Sequence, residues 1–396
     1  MAQVIMFAFI PIVTRIYSPE EFGLYSLFFS ITTAVALISS LNYEQAIVLP
    51  KSDKDAQALF FLSTAILLGI VVISSILSFV FYDFLLEYFQ GMEYFIWLLP
   101  LSVLITGFQQ IFDQYSNRKN FYKQMASAKI ISSVGTVSTQ ISSRYIFGLN
   151  GLVFGKVFSD LLGIIFLYKH HIKEQTLHLR SMTKKRVIIN AKRHDHFPKF
   201  QTGTSLMNYL AQYLPIFLFP ILFSSEAAGY YALTFRILMV PTTIMGGSVR
   251  SVYYQKASSM YSENKSIYSL YKKTTLGLLK IYAIPLIVIA IFGQEIFSLL
   301  FGEKWHTSGV IAQIVIFSSL FAFINIPSVM TFNILKLQKL QLKLQILQFI
   351  FRGLAIYIGY YFFNSYIVSI ILYVIVAISN NIFLIWYINR RLKVDS

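Results

Sequence analysis

The sequence predicts an all-α integral membrane protein with about twelve transmembrane helices, arranged as two six-helix lobes related by a parallel pseudo-two-fold repeat. Three observations support this prediction: an apolar composition, a series of long apolar segments, and a motif that occurs once in each half of the chain. Of the 396 residues, 56% are apolar and only 13% are charged, whereas a soluble domain has roughly 25% charged residues. The chain is therefore too apolar to fold with water as its only solvent.

The apolar segments are long enough to span a membrane, which takes about 20 mainly apolar residues. The first is short and the fifth is polar. The first also lacks the basic leading region and the cleavage site of a signal peptide, so we expect it to stay in the membrane. The twelve segments are 1–16, 22–46, 56–82, 92–113, 122–144, 150–169, 200–222, 226–249, 272–293, 307–333, 342–362 and 365–389.

The positive charge of the chain falls mainly on one side of these segments. Most of the 33 Lys and Arg residues lie in the connections after the second, fourth, sixth, eighth, tenth and twelfth segments. By the positive-inside rule, both termini are then cytoplasmic, in the cytoplasmic (inner) membrane. The net charge of +16 is thereby explained without nucleic acid as a partner. The longest basic connection, 170–199, separates an N-terminal six-helix lobe, 1–169, from a C-terminal six-helix lobe, 200–396.

The repeated motif relates the two lobes. Tyr17–Ile31 reads YSPEEFGLYSLFFSI and Phe223–Ile237 reads FSSEAAGYYALTFRI, and the two agree at seven of fifteen positions. Each copy lies at the turn into the second helix of its lobe, and the first and seventh helices run in the same direction. The two lobes are then related by an axis along the membrane normal. Chance similarity between two apolar segments is the alternative interpretation.

Ionisable residues inside the predicted segments are the first candidates for function, because charges are costly in a membrane. Arg236 and Arg352 lie about ten residues from the nearest segment end, roughly 15 Å deep at 1.5 Å per residue. Lys129 and Lys280 are closer to the cytoplasmic ends, where extension of the side chain to the surface is an equal alternative. Lys156 and Asp160, one helical turn apart, are an ion-coupling site or a structural ion pair.

Uncharged polar residues add a second set of candidates. Thr204, Asn208 and Gln212 follow one another at intervals of four and form a polar stripe on the seventh segment. Such a stripe also suits hydrogen bonds between helices. Metal and cofactor sites are not predicted: there is no cysteine, no phosphate-binding loop motif, and no further ligand near the pair His194 and His196 in the basic connection.

Two stretches resemble a known family. Thr14–Ile31 followed by Leu41–Ala56, "LNYEQAIVLPKSDKDA", resembles the start of bacterial O-antigen and capsule repeat-unit flippases. Gly229–Pro241, "GYYALTFRILMVP", is similar to their eighth helix. These proteins belong to the multidrug/oligosaccharidyl-lipid/polysaccharide exporter superfamily. The resemblance implies two six-helix lobes around a central cavity that opens alternately to each side.

The resemblance also implies a function, a substrate and partners. The protein would be a flippase that moves undecaprenyl-diphosphate-linked oligosaccharide to the outer leaflet for O-antigen, lipopolysaccharide or capsule biosynthesis, in association with a polysaccharide polymerase and a chain-length regulator. Cationic side chains suit the diphosphate, since Arg binds phosphate oxygens bidentately. The expected diphosphate-binding residues are Arg236 and Arg352, with Lys129, Lys280 and Arg15 as additions, and the polar stripe would face the sugar. We expect no cofactor beyond a proton or sodium gradient, and the basic connection would attract anionic phospholipids.

Two other functions are weighed against this one. A multidrug or cation exporter of the same superfamily should have acidic residues in its cavity, whereas the deep charges here are mainly cationic. A membrane glycosyltransferase or polymerase on the same lipid carrier needs a catalytic carboxylate or a large external loop. No predicted external connection exceeds about fifteen residues, so the sequence favours a transporter over an enzyme.

Overall fold

Helices make up all the regular structure of the described residues, 2–89, 96–176 and 183–394 of this computed structural model. Most of each predicted membrane segment lies in one α-helix or in two consecutive ones, and residues 92–95 of the fourth predicted segment lie outside the described residues. The helices are α1 (Ala2–Ile16), α2 (Pro19–Ile38), α3 (Asp53–Val80), α4 (Tyr82–Tyr88), α5 (Leu98–Arg118), α6 (Tyr122–Phe147), α7 (Gly151–Lys173), α8 (Lys184–Arg193), α9 (Thr202–Leu222), α10 (Ser225–Leu238), α11 (Val240–Ser262), α12 (Tyr268–Phe301), α13 (His306–Ile324), α14 (Ile326–Ile334), α15 (Gln338–Phe363) and α16 (Tyr366–Val394).

Length and hydropathy identify most of these helices as membrane spans. Within the described residues, eight stretches are long and apolar enough to cross a membrane, and the pair α10–α11, bent by 40°, adds a ninth. The predicted first, fourth and fifth spans correspond to α1, α5 and α6, which fall below the same criteria. The chain is a multi-pass membrane protein, and the number twelve stays a prediction.

Proline residues account for two of the bends. The eighth predicted segment divides into α10 and α11 beside Pro241, and the tenth divides into α13 and α14 beside Pro327. Proline removes a backbone donor and therefore ends or bends a helix. The second predicted segment, 22–46, is α-helical only to Ile38. The chain then turns at Leu41 and Asn42, which have positive φ angles of 50° and 57°, into a short 3-10 helix, Tyr43–Val48.

The two copies of the repeated motif begin equivalent helices. Ser18 caps α2: its hydroxyl accepts from the Glu21 backbone N–H at 3.2 Å, and the Glu21 carboxylate accepts from the Ser18 N–H at 2.8 Å. Ser224 caps α10 by accepting from the Ala227 N–H at 3.1 Å. Such caps satisfy N–H groups that have no partner within the helix. The repeat thus conserves a helix start in each half of the chain.

The described residues form two compact units, Met1–Tyr209 and Leu210–Ser396. In the first unit, α6 and α7 pack closely along small residues, and Gln140 Nε2 donates to the Leu152 carbonyl at 2.9 Å. Gly155 is essential to this packing, because a Cβ there would lie 2.7 Å from the Gln140 backbone nitrogen. In the second unit, one core cluster includes Tyr253, Tyr271, Phe332 and Ile388.

Substitution of Gly155 by alanine is expected to destabilise the first unit. The new methyl group would overlap the Gln140 backbone, and such overpacking typically costs about 1–3 kcal/mol. Gly277 is the matched control, because a Cβ there meets no atom within 4 Å. Gly277→Ala should be neutral or stabilising by up to ~1 kcal/mol. Thermal unfolding of the purified protein in detergent measures both, and equal midpoints for the two variants would contradict the assigned packing.

Candidate functional site

Arg352 lies at a break in the backbone hydrogen bonding of α9. Pro215 has no N–H, so the Ala211 carbonyl one turn earlier has no partner within the helix. Arg352 Nη1 donates to this carbonyl at 2.9 Å, and the Tyr373 hydroxyl donates to it at 3.0 Å. Arg352 is only 6% exposed, and its guanidinium lies 4.8 Å from the centre of the Tyr373 ring. These contacts join α9, α15 and α16.

A cluster of three tyrosines, Tyr213, Tyr231 and Tyr373, surrounds this contact. The Tyr231 and Tyr373 hydroxyls lie 3.4 Å apart, and Arg352 Nη1 lies 3.1 Å from the Tyr373 hydroxyl. Tyr213 packs edge-on against Phe235, with ring centroids 5.1 Å apart. We call these three residues the tyrosine cluster. Hydropathy does not single out tyrosine, so the cluster was missed from the sequence, although Tyr231 belongs to the repeated motif.

Arg236 reaches the same cluster from α10. It lies in the last turn of that helix, is half-buried, and interacts electrostatically with Tyr213. Among the described residues, no carboxylate forms an ion pair with the Arg236 guanidinium. Of the two predicted diphosphate-binding arginines, Arg352 thus contacts the tyrosine cluster directly, and Arg236 interacts electrostatically with one of its members, Tyr213.

The other candidates of the second unit and of α9 are more dispersed. Lys280 is exposed on α12. On the polar stripe, the Thr204 hydroxyl donates to the Phe200 carbonyl of its own helix at 2.8 Å, and Asn208 is exposed. The Gln212 backbone carbonyl accepts from the Tyr373 hydroxyl at 3.1 Å. One end of the stripe thus adjoins the tyrosine cluster.

In the first unit, the predicted pair of α7 forms a close ion pair. Lys156 Nζ lies 2.5 Å from Asp160 Oδ2, and the Ser132 hydroxyl of α6 donates to Asp160 Oδ1 at 2.5 Å. The Asp160 side chain is 8% exposed and that of Lys156 25% exposed. The carboxylate is therefore satisfied from two helices, which favours a structural role in the α6–α7 contact.

Lys129 also has an acidic partner, which the sequence analysis missed. Lys129 Nζ of α6 lies 3.2 Å from Asp113 Oδ2 of α5. Asp113 is the last residue of the predicted fourth segment, and α5 extends past it to Arg118. The register between two helices decides such a pair, and the sequence alone does not give that register. Arg15, the remaining candidate, is exposed at the end of α1.

A half-buried ion pair lies beside the turn between α1 and α2. Arg144 of α6 is paired with Glu21, at 2.5 Å between Nη1 and Oε1, and its guanidinium lies 4.9 Å from the centre of the Tyr17 ring. Burial raises the pKa of Tyr17 to about 12, despite the nearby Arg144 charge. Its hydroxyl therefore stays protonated and donates to the Gln140 carbonyl at 2.7 Å. The charge of Arg144 thus stabilises a contact within the first unit.

The described ranges 2–89, 96–176 and 183–394 hold no cluster of metal ligands. There, no group of three or more His, Cys, Asp or Glu residues could hold a metal ion. The His194 and His196 rings have centroids 6.4 Å apart.

Replacement of Asp160 by alanine is expected to lower the stability of the first unit. It would leave Lys156 without its carboxylate, at a cost of about 2–3 kcal/mol, less than for a fully buried pair because Lys156 is partly exposed. Glu263→Ala is the control, since its 2.6 Å pair with Lys265 is exposed and its loss should leave the stability nearly unchanged. Thermal unfolding in detergent checks both variants.

Exchange of the two residues separates the two roles of the pair. If the chain with Lys156→Asp and Asp160→Lys keeps its transport activity, the ion pair has a structural role. A chain that folds normally but loses gradient-driven transport would instead show that the pair couples transport to an ion.

Comparisons with known proteins agree with this architecture. A family model described as "Polysaccharide biosynthesis protein" matches residues 12–310. A comparison with curated proteins finds no match. Among solved structures, the chain is similar to a multidrug resistance MATE family transporter of the MOP superfamily in an inward-facing conformation. That likeness has a TM-score of 0.81 and 13% identity, over 99% of this chain and 95% of the other.

Two further structures share the fold. The lipid II flippase MurJ, in an inward closed conformation, has a TM-score of 0.74 and 14% identity over 98% of this chain and 85% of its own. A MOP superfamily transporter from Pyrococcus furiosus, whose binding pocket is described as having reverse polarity, has a TM-score of 0.61 and 14% identity over 100% of this chain and 93% of its own. At these identities, the likenesses establish the fold.

Proposed function

Because the chain belongs to the family of polysaccharide biosynthesis proteins and has the fold of MOP superfamily transporters, we propose that it is a lipid-linked oligosaccharide flippase. It would carry undecaprenyl-diphosphate-linked repeat units from the inner to the outer leaflet of the cytoplasmic membrane, by alternating access, for O-antigen or capsule biosynthesis. The structural neighbours named above are transporters and a flippase, which supports transport over catalysis.

The charge of the second unit carries the proposal. A diphosphate cannot cross hydrocarbon without compensation of its negative charge, and an arginine side chain binds its oxygens through charge-assisted hydrogen bonds. Arg236 is half-buried and forms no ion pair with a described carboxylate, so its charge is available to an anionic substrate.

A cation exporter of the same superfamily is the second candidate, supported by the likeness to a multidrug transporter. Such a protein needs carboxylates that are free to meet an organic cation. In the first unit, Asp113 and Asp160 are instead paired with Lys129 and Lys156. These pairs leave little negative charge for a cationic substrate, which favours the flippase.

The proposal also includes the orientation in the membrane, the driving gradient and the partner proteins. Both termini would be cytoplasmic in the inner membrane, the gradient that drives transport would be of protons or sodium ions, and a polymerase with its chain-length regulator would consume the exported units.

The decisive experiment is made on a strain in which the gene is deleted. Surface glycan and the sidedness of undecaprenyl-diphosphate oligosaccharide in the inner membrane are measured together. The proposal expects loss of surface glycan, with complete repeat units trapped on the cytoplasmic leaflet. Normal surface glycan together with new sensitivity to organic cations would favour the exporter, and complete units on the outer leaflet without polymerisation would indicate an enzyme.

A further inference from the structure

Helix α8, in the basic connection, is fixed to the first unit along one face. Asn190 is 1% exposed and donates from Nδ2 to Asp55 Oδ1 at 3.1 Å. Arg186 Nε lies 3.4 Å from the same oxygen, and the Tyr43 hydroxyl donates to the Ala191 carbonyl at 3.1 Å. The helix is thus held by several contacts in one orientation.

The opposite face of α8 is exposed and combines positive charge with apolar side chains. At 100° per residue, the exposed side chains cover about half of the helix circumference without interruption. Ile188 and Ile189 are each 46% exposed. The exposed face consists of Lys184, Lys185, Ile188, Ile189, Lys192 and Arg193.

Among the described residues, no carboxylate forms an ion pair with the four cations of this face. Lys184–Arg193 contains no Asp or Glu. The next acidic residue is Asp195, whose carboxylate lies 2.5 Å from Lys199 Nζ, and the hydrogen bond from Lys199 lowers the pKa of Asp195. The positive charge of the four cations on the α8 face is therefore available to a negatively charged surface.

The contacts of α8 place this helix beside the start of a membrane-spanning helix. Asp55 lies in the first turn of the membrane-spanning helix α3, and Tyr43 lies in the turn between α2 and α3. The helix is thereby anchored at the level where two spans leave the hydrocarbon. Lysine and arginine beside exposed isoleucines suit an anionic lipid surface, where apolar side chains enter the headgroup region. Nucleic acid has no apolar layer that would accommodate the exposed isoleucines.

We propose that the exposed face of α8 binds the anionic headgroups of the membrane in which the chain is embedded. The chemistry required is a phosphate-bearing lipid surface: the lysines and Arg193 meet the phosphates while Ile188 and Ile189 enter the headgroup layer. This contact is independent of the transported cargo. It holds the basic connection at the surface, whether the cargo is an oligosaccharide lipid or a cation.

The experiment uses the full chain reconstituted in vesicles. Because the chain has no cysteine, Ile188→Cys creates a unique position for a fluorescent label. Quenching by nitroxides attached to lipid headgroups then reports contact with the bilayer. One set of vesicles contains phosphatidylcholine alone, and the other also contains phosphatidylglycerol. We expect strong quenching only with phosphatidylglycerol, and its loss at high ionic strength.

Charge variants test whether the cations of α8 cause the contact. Lys184→Gln with Lys192→Gln removes the two lysines one turn on either side of Ile188. Each cation near an anionic surface contributes roughly a fivefold factor, so this variant should weaken the attraction roughly 25-fold. Lys272→Gln with Lys273→Gln, at the exposed start of α12, removes the same charge elsewhere and should leave the quenching unchanged.

Three results would overturn the proposal. Equal quenching in both kinds of vesicle would mean that no anionic headgroup is needed. Equal effects of the two charge variants would mean that total charge, not α8, is responsible. Absence of quenching in both kinds of vesicle would mean that the exposed face of α8 contacts water or an acidic protein partner and not lipid. Hydrogen exchange of α8 in the unlabelled chain, expected to slow with phosphatidylglycerol, is the measurement that does not depend on the label.

Discussion

Replacement of Arg236 by alanine is expected to slow export of the lipid-linked oligosaccharide strongly while membrane insertion stays normal. A hydrogen bond to a charged partner contributes about 1.5–3 kcal/mol, so loss of the guanidinium should slow transport roughly 10- to 100-fold. Stability should change little, because a half-buried cation in the last turn of a helix contributes only about 0.3–1 kcal/mol through the helix dipole. Surface glycan and the amount of folded protein in the membrane are measured together.

Two further variants make the Arg236 prediction specific. Arg236→Lys keeps the charge but loses the bidentate geometry, so an intermediate rate is expected. Arg250→Ala removes an arginine from α11, the other half of the same bent span, where the side chain is exposed. It should export normally. A fully active Arg236→Ala chain, at normal expression, would remove Arg236 from the candidate site.

Replacement of Arg352 by methionine is expected to destabilise the second unit. The methionine would fill much of the space but could not donate to the Ala211 carbonyl, and the loss should be about 1–3 kcal/mol. Pro215→Ala supplies an N–H to that carbonyl, so Arg352→Met should cost less in the Pro215→Ala background. The difference, measured by thermal unfolding of the four chains in detergent, is the coupling between the two positions.

The same four chains decide between two roles of Arg352. If the residue acts on the backbone of α9, stability falls and Pro215→Ala rescues it. If the residue binds the diphosphate, Arg352→Met abolishes export at nearly unchanged stability, and Pro215→Ala has no influence. The second result would return Arg352 to the diphosphate-binding set predicted from the sequence.

The sequence was sufficient for the order of the helices, because apolar length and the serine caps are local signals. Ser18 and Ser224 each begin a helix through contacts within three residues, which a repeated motif can reveal. The bends at Pro241 and Pro327 were also accessible, since proline acts on its own helix. The spacing of Lys156 and Asp160 placed them on one face of α7, and the structure brings them into contact.

Contacts between helices were not accessible from the sequence. The pairing of Lys129 with Asp113 depends on how far α5 and α6 are shifted along one another. A hydropathy profile does not distinguish Tyr373 from the other residues of its segment. Its hydroxyl nevertheless lies within hydrogen-bonding distance of two backbone carbonyls of α9. The predicted depth in the membrane singled out Arg352 as a candidate. Its hydrogen-bond acceptor, however, is a backbone carbonyl 141 residues earlier in the chain, and a pattern of side chains does not predict such a contact.

That separation has a consequence for biogenesis. A ribosome adding 5–20 residues per second takes roughly 7–28 s to advance from Ala211 to Arg352. During this interval α9 carries a carbonyl whose partners from α15 and α16 have not been synthesised, and an unsatisfied backbone group in hydrocarbon costs several kcal/mol. Helix α9 therefore settles into its final surroundings only after nearly the whole polypeptide has been made. A chain terminated between α9 and α15 therefore lacks both side-chain donors to the Ala211 carbonyl.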